Sequence, residues 1–262
     1  MPVRRARVAL VCSLVLALLA PTTALAVPAR PGSTATGAPV PEATQAFRVN
    51  LAERGDYVQQ TNFVQCVGAS MQMMLNMARP GADRSARTQL DLQNLARYWS
   101  GPRPDGVTRQ GASVRGWSAG LTIRGGGPYM LVGTDTLEEA LRVAATAIRE
   151  TGRPVGLLVW RGRHAWVMSG FEATADPVAT DDFRVLRANI HDPLWPHGSA
   201  SWGPSPRPGV AITPEVIGRQ FVARSMSSRW NQTNPASKLR GKYVLVLPFD
   251  PIHDAEGPFR HA

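Results

Sequence analysis

Apolar positions in this chain fall first at helical spacing and later into strand-like runs. From Val67 onward, Val67, Met71, Met74, Leu75 and Ala78 recur on one helical face, and Pro80-Gly81 ends the helix they predict. Cys66 therefore sits at or just inside a helix N-terminus. The methionines read as core packing rather than a metal box, because a flexible thioether fills irregular space well. A second helix is expected across Thr88 to Tyr98, turning Leu92, Leu95 and Trp99 inward, with a short one near Ser113 to Ala119. Thr136 and Glu139 form a capping box. The helix it opens buries Leu137, Leu141, Ala144, Ala145 and Ile148 and ends near Gly152.

The period then changes. Pro154 to Trp160 is a continuous apolar strand, and His164 to Phe171 is another. The short glycine-containing turn between them predicts that they pair. A polar loop, Glu172 to Asp182, precedes a third strand, Phe183 to Ile190, which ends at His191-Asp192-Pro193. Leu194 to Gly209 is rich in Pro, Trp and Gly and is expected to cover one face of the sheet. Thr213-Pro214-Glu215 opens a short helix with proline at its first position, and Lys242 to Leu247 is a final strand. Helices come first and a mostly antiparallel sheet follows, so the fold class is α+β.

The ends of the chain set its compartment. Arg4, Arg5 and Arg7, the apolar run Val8 to Ala20 and the small-x-small site Ala24-Leu25-Ala26 read as a secretory signal over residues 1–26. That run is short for a bilayer span, and no later stretch approaches spanning length. The mature chain is therefore expected outside the cell or on its wall, without stable membrane insertion. Residues 27–44, rich in Pro, Ala, Gly and Thr, form a linker. Residues 45–250 are long enough for one substantial domain, and 251–262 form a tail.

The formal charge is +10. Three arginines and no acid leave with the signal, so the mature value is +7. An anionic cell-wall polymer is a possible partner for such a surface. No arginine run with interleaved aromatics points to nucleic acid.

Of the two cysteines, Cys12 lies in the signal, so the mature chain keeps Cys66 alone and cannot form an internal disulfide. A thiol attacks as its thiolate, which free N–H groups at a helix N-terminus stabilise. A nearby imidazole would complete a nucleophile. His164 starts a buried strand, and His191 stands at a strand end; His197, His253 and His261 lie in loop or tail context. Asp192 is the natural group to orient His164, with Asn189 the chemical alternative on the opposite side of the strand. Gln60, six residues before the thiol, could donate its amide to an oxyanion together with the Cys66 N–H. No cofactor is implied, and His191 with His197 lacks helical metal-ligand spacing.

Gln60 ahead of Cys66, a helix opening at the cysteine, the strand His164-Ala165-Trp166-Val167 and the later Asp192-Pro193 resemble papain-like cysteine peptidases. The nearest branch is the bacterial one of double-glycine leader peptidases in bacteriocin exporters. The resemblance covers Gln60 to Asp192 and the closing strand near Tyr243. It implies a papain-like fold with Cys66 as nucleophile, His164 as general base, Asp192 as orienting residue and Gln60 as oxyanion donor. The family's Cys-Gly-x-Ala opening stands here as Cys66-Val67-Gly68-Ala69, with the glycine one place later. The wide spacing from His164 to Asp192 is expected to reflect a hairpin insertion at Glu172 to Asp182. The implied activity is cleavage of a peptide or protein substrate through a thioester. Cell-wall amide hydrolysis or acyl transfer at the same thiol, and an inactive binding module, are the other readings.

Overall fold

The computed structural model describes residues 46–79, 81–102, 110–224 and 238–251. The expected signal, the linker and all but the first residue of the tail lie outside them. The architecture is mixed α+β, with a mostly antiparallel sheet. The first strand, β1 (Phe47–Asn50), is followed by three helices: α1 (Cys66–Ala78), α2 (Ala86–Trp99) and α3 (Val114–Ile123). Then come β2 (Tyr129–Thr134), α4 (Leu137–Thr151), β3 (Val155–Val159), β4 (His164–Ala173) and β5 (Val185–His191). A two-stranded ribbon of β6 (Gly198–Ser199) and β7 (Gly203–Pro204) precedes β8 (Val210–Ile212), α5 (Pro214–Gly218) and β9 (Tyr243–Pro248).

The main sheet runs in the order β2-β9-β3-β4-β5-β8, and β1 joins β4 where β3 stops. Among the described residues every strand pairing in it is antiparallel. The period-two pattern of β4 divides the core. Trp166, Met168 and Phe171 pack with the α4 side chains Leu141, Ala144 and Ile148, whereas Ala165 and Val167 pack with Met71, Met73 and Met74 of α1 and Trp117 of α3. The sheet is thus covered by α1–α3 on one face and by α4 on the other. Gly156 has no Cβ to meet the Trp117 indole, which would come within 2.6 Å of one.

Helix signals were local and held well. Ser85 and Ser113 cap α2 and α3 through bonds from Thr88 N–H and Gly116 N–H. Thr136 caps α4 at Glu139 N–H (3.1 Å), and Gly152 closes that helix in the left-handed region. Three expectations need correction. Trp99 is 40 % exposed at the end of α2, where the inward face is instead Gln89, Leu92, Gln93 and Ala96. Trp160 leaves the strand: its φ is +56°, and with Arg161 at +57° it forms the left-handed corner that turns β3 into β4. Leu137, expected in the core, is only half-buried at the start of α4. Among the described residues no helix is long and apolar enough to cross a membrane.

Candidate active site

The sheet register brings the candidate groups together. Val159 pairs with His164 across the β3–β4 hairpin, and Val167 faces His191 across β4 and β5. Antiparallel pairing therefore puts the residue after His191 at the end of the sheet where β4 begins. There the His164 Nε2 atom lies 2.7 Å from Asp192 Oδ1. Cys66, the half-buried free cysteine that opens α1, lies close enough to His164 for its thiol to favour the charged imidazole. Thiol, imidazole and carboxylate are thus brought together at one end of the sheet.

Burial works against a charged His164, which is 4 % exposed. Its interactions with Asp192, and with Cys66 after it, outweigh that penalty and raise its pKa from 6.5 to about 9. Asp192 is completely buried. Burial favours its neutral form, but the bond and charge of His164 hold its pKa below the usual carboxylate value, with the Leu194 N–H (2.8 Å) adding to this. The Ser205 hydroxyl also favours the anion, although neither it nor Asp192 Oδ2 meets a partner at full hydrogen-bond geometry.

Asn189 is turned elsewhere: its Nδ2 donates to Gly209 O at 3.0 Å, tying β5 to the segment before β8. His191 is also placed away from the thiol chemistry. Its Nε2 meets Ser169 Oγ at 2.9 Å, and Ser169 in turn donates to Asn50 Oδ1 at 3.0 Å. Burial lowers the His191 pKa to about 4. His197 lies in the loop after β5, with its backbone N–H bonded to Leu194 O. His253 and His261 lie outside the described residues.

Gln60 is buried on the loop leading to α1. Its backbone N–H donates to Pro193 O at 2.8 Å, joining this loop to the turn that carries Asp192. Its side-chain Nε2 donates to Asn62 O at 2.8 Å, which leaves a second N–H on that nitrogen. Gln65 precedes the helix without capping it through its side chain. The Ala69 N–H returns to Gln65 O, the Gly68 N–H is taken by a side chain of α2, and Cys66, as the first residue of α1, has a backbone N–H without an intrahelical partner. Phe63, on the same loop, is 85 % exposed.

Two supports of the site escaped the sequence pattern. Trp160 stacks on His164, with centroids 4.1 Å apart and the rings 23° from parallel. Its backbone N–H and its indole N–H both donate to Gln220, at 2.8 Å each. Gln220 is itself anchored to Pro204 O at 3.0 Å. Tyr57 donates from its hydroxyl to Trp195 O (2.8 Å) and Asp192 O (3.2 Å), fixing the turn after β5. The Trp-Arg-Gly corner was the available signal for Trp160; nothing local marked Tyr57.

Among the described residues no group of three His, Cys, Asp or Glu side chains is placed to hold a metal ion. No protein-family model matches the chain, and no curated protein matches it in sequence.

Proposed function

We propose that this chain is an exported thiol hydrolase of papain-like fold that cleaves amide bonds in peptides or proteins. The observation that carries the reading is the grouping of Cys66, His164 and Asp192, in which the buried imidazole lies 2.7 Å from the carboxylate and its pKa is raised by both the carboxylate and the thiol. The fold reading is supported by a nucleophile at the start of a buried helix, packed on an antiparallel sheet that supplies the histidine and the aspartate from neighbouring strands.

The chemistry follows from these positions. His164 takes the Cys66 proton as the sulfur attacks the scissile carbonyl carbon, forming a C–S bond. Negative charge moves to the carbonyl oxygen, where the Cys66 N–H and the second Nε2 proton of Gln60 receive it. His164 then gives its proton to the leaving amine as the C–N bond breaks, which leaves a thioester. Water, deprotonated by His164, releases the acid and restores the thiol. Asp192 keeps the imidazole oriented throughout and balances its charge. The signal-like first residues and the mature charge of +7 support action outside the cell, on or near an anionic wall.

The test is covalent labelling. The purified protein is incubated with a peptidyl epoxide under reducing conditions, alongside Cys66→Ala and His164→Ala variants, and the adduct is read by mass spectrometry. Wild type should gain one adduct on Cys66, Cys66→Ala none, and His164→Ala should label at least about 100-fold more slowly, the usual scale of a lost acid–base partner. A folded wild-type protein that stays unlabelled while a control peptidase reacts overturns the reading.

A further inference from the structure

The loop between Gln60 and Cys66 is irregular, yet it must aim two donors at one point. What holds it comes from α2. Gln89 and Gln93 lie one helical turn apart, are 1 % and 2 % exposed, and use both ends of their amides on this loop. Gln89 accepts from Thr61 N–H at 2.8 Å and donates to Gln59 O at 3.0 Å. Its two bonds fall on the residues immediately before and after Gln60. Gln93 accepts from Gly68 N–H at 2.9 Å and donates to Val64 O at 3.0 Å. Its two bonds fall two residues on either side of Cys66.

We infer that Gln89 and Gln93 are paired positioning residues for the oxyanion hole, each straddling one of its two donors. The inference rests on the thiol-hydrolase reading above. Four residues of helix rise about 6 Å, so a single rigid helix sets the separation of the two clamped points. A glutamine suits both positions because it satisfies one N–H and one C=O with a single planar group. An aliphatic side chain would take the partner from both backbone groups and, at Gly68, leave a buried N–H unpaired.

Gly68 belongs to the same device. A Cβ there would meet Gln89 O at 2.7 Å and Gln93 Cβ at 2.9 Å, so any side chain would push α2 away from the loop it clamps. The displaced glycine of the Cys66-Val67-Gly68-Ala69 opening thereby gains a physical reason: α2 approaches the nucleophile helix there too closely for a Cβ.

A role in the hole predicts something a purely structural role does not. Attack on an ester carbonyl needs the oxyanion donors, whereas displacement of iodide from iodoacetamide by the same thiolate does not. The experiment measures both rates at Cys66 in the full chain, using p-nitrophenyl acetate and iodoacetamide, with glutathione as a thiol lacking any hole. Wild type should acylate faster, relative to alkylation, than glutathione. Gln89→Met and Gln93→Met should lower acylation about 10- to 100-fold while alkylation stays within about twofold, since misplaced donors lose most of their effect. Gln93→Glu keeps an acceptor for Gly68 N–H but no donor for Val64 O, and should fall between.

Gln72→Met is the control. That buried amide on α1 bonds Ser85 O at 3.1 Å, away from the loop, and its loss should leave the ratio unchanged. Equal loss of both rates in the Gln89 and Gln93 variants, or an equal change of ratio in Gln72→Met, overturns the inference. So does a wild-type ratio no better than that of glutathione. If the methionine variants do not fold, Gln93→Glu decides alone, and an unchanged ratio in it rejects the clamp. A folded wild type unreactive to both reagents instead rejects the hydrolase reading itself.

Discussion

His164 and His191 are equally buried, each 4 % exposed, and stand on neighbouring strands at the same end of the sheet. Their pKa values nevertheless lie on opposite sides of an ordinary histidine, at about 9 and about 4. Burial alone pushes both down. The difference lies in the partners. His164 faces a carboxylate and a thiol, which favour its charge, while His191 faces the Ser169 hydroxyl, which is neutral in either case. Desolvation is thus a shared cost, and one anionic neighbour decides whether a buried imidazole is a proton store or an inert wedge. The sequence alone left both strand-end histidines in play.

The sharpest way to break that comparison is to remove the anion. Asp192→Ala should leave burial as the dominant influence on His164 and drop its pKa below 6.5. The charged imidazole beside Cys66 would then be gone at neutral pH. Iodoacetamide alkylation of Cys66 at pH 6 should fall about 100-fold, the scale of a lost general acid–base partner. Asn189→Ala, which frees only Gly209 O, should stay within about threefold on the same scale. Equal losses in the two folded variants would dissolve the distinction between the partners.

The two histidines also load opposite flanks of the stability curve. His164 binds its proton more tightly folded than unfolded, so its contribution is complete below pH 6.5 and is lost as pH rises through about 9. His191 binds its proton less tightly when folded, so stability falls as pH drops from 6.5 to about 4. Each window is worth about 3 kcal/mol at 1.36 kcal/mol per unit of pKa shift. Urea unfolding across pH should therefore show a maximum near pH 6.5 from this pair. His191→Gln should flatten the acid side, by about 2 kcal/mol between pH 7 and 4.5, and leave the alkaline side intact. An unchanged acid slope in that variant would mean that His191 is not the group responsible.

How far the site could be read in advance follows from the range of each signal. Cys66 at a helix start, the β3–β4 hairpin that delivers His164, and Asp192-Pro193 at a strand end are all marked by residues within a few positions of themselves. Strand parity allowed only one of Asp192 and Asn189 to face His164, and Pro193 at the strand terminus favoured Asp192, whose carboxylate is the one that meets the imidazole. Gln89 and Gln93 were invisible for a different reason. An amide is at home on a wet helix face, and only the irregular loop opposite turns that face into a buried clamp. Trp99 was assigned inward on helical period for the same lack of a partner to consult. The strand β2, with Gly133 inside it and Gly125 to Gly127 just before, carried too little period-two pattern to be found. β9 was found, but its place between β2 and β3 depends on pairings more than a hundred residues apart for β2.

Trp160 offers the gentlest test of what makes the two histidines differ, because it alters the surroundings of His164 without touching its charge partners. A tryptophan at φ +56° is strained, by about 1–2 kcal/mol for a residue with a Cβ in that region. The corner keeps it there through the two bonds to Gln220 and the stack on His164. Trp160→Gly removes the strain together with the stack and the indole bond, so unfolding free energy should move by no more than about 1 kcal/mol. Without the indole the imidazole is free to rotate away from Cys66 and Asp192. Acylation and alkylation of Cys66 should both fall about three- to tenfold, because poorer orientation affects every use of the pair. Trp160→Phe keeps an aromatic face and should recover most of that loss. Full reactivity in a folded Trp160→Gly protein would show that the carboxylate and the thiol fix His164 unaided, leaving the strained tryptophan with a role in the hairpin alone.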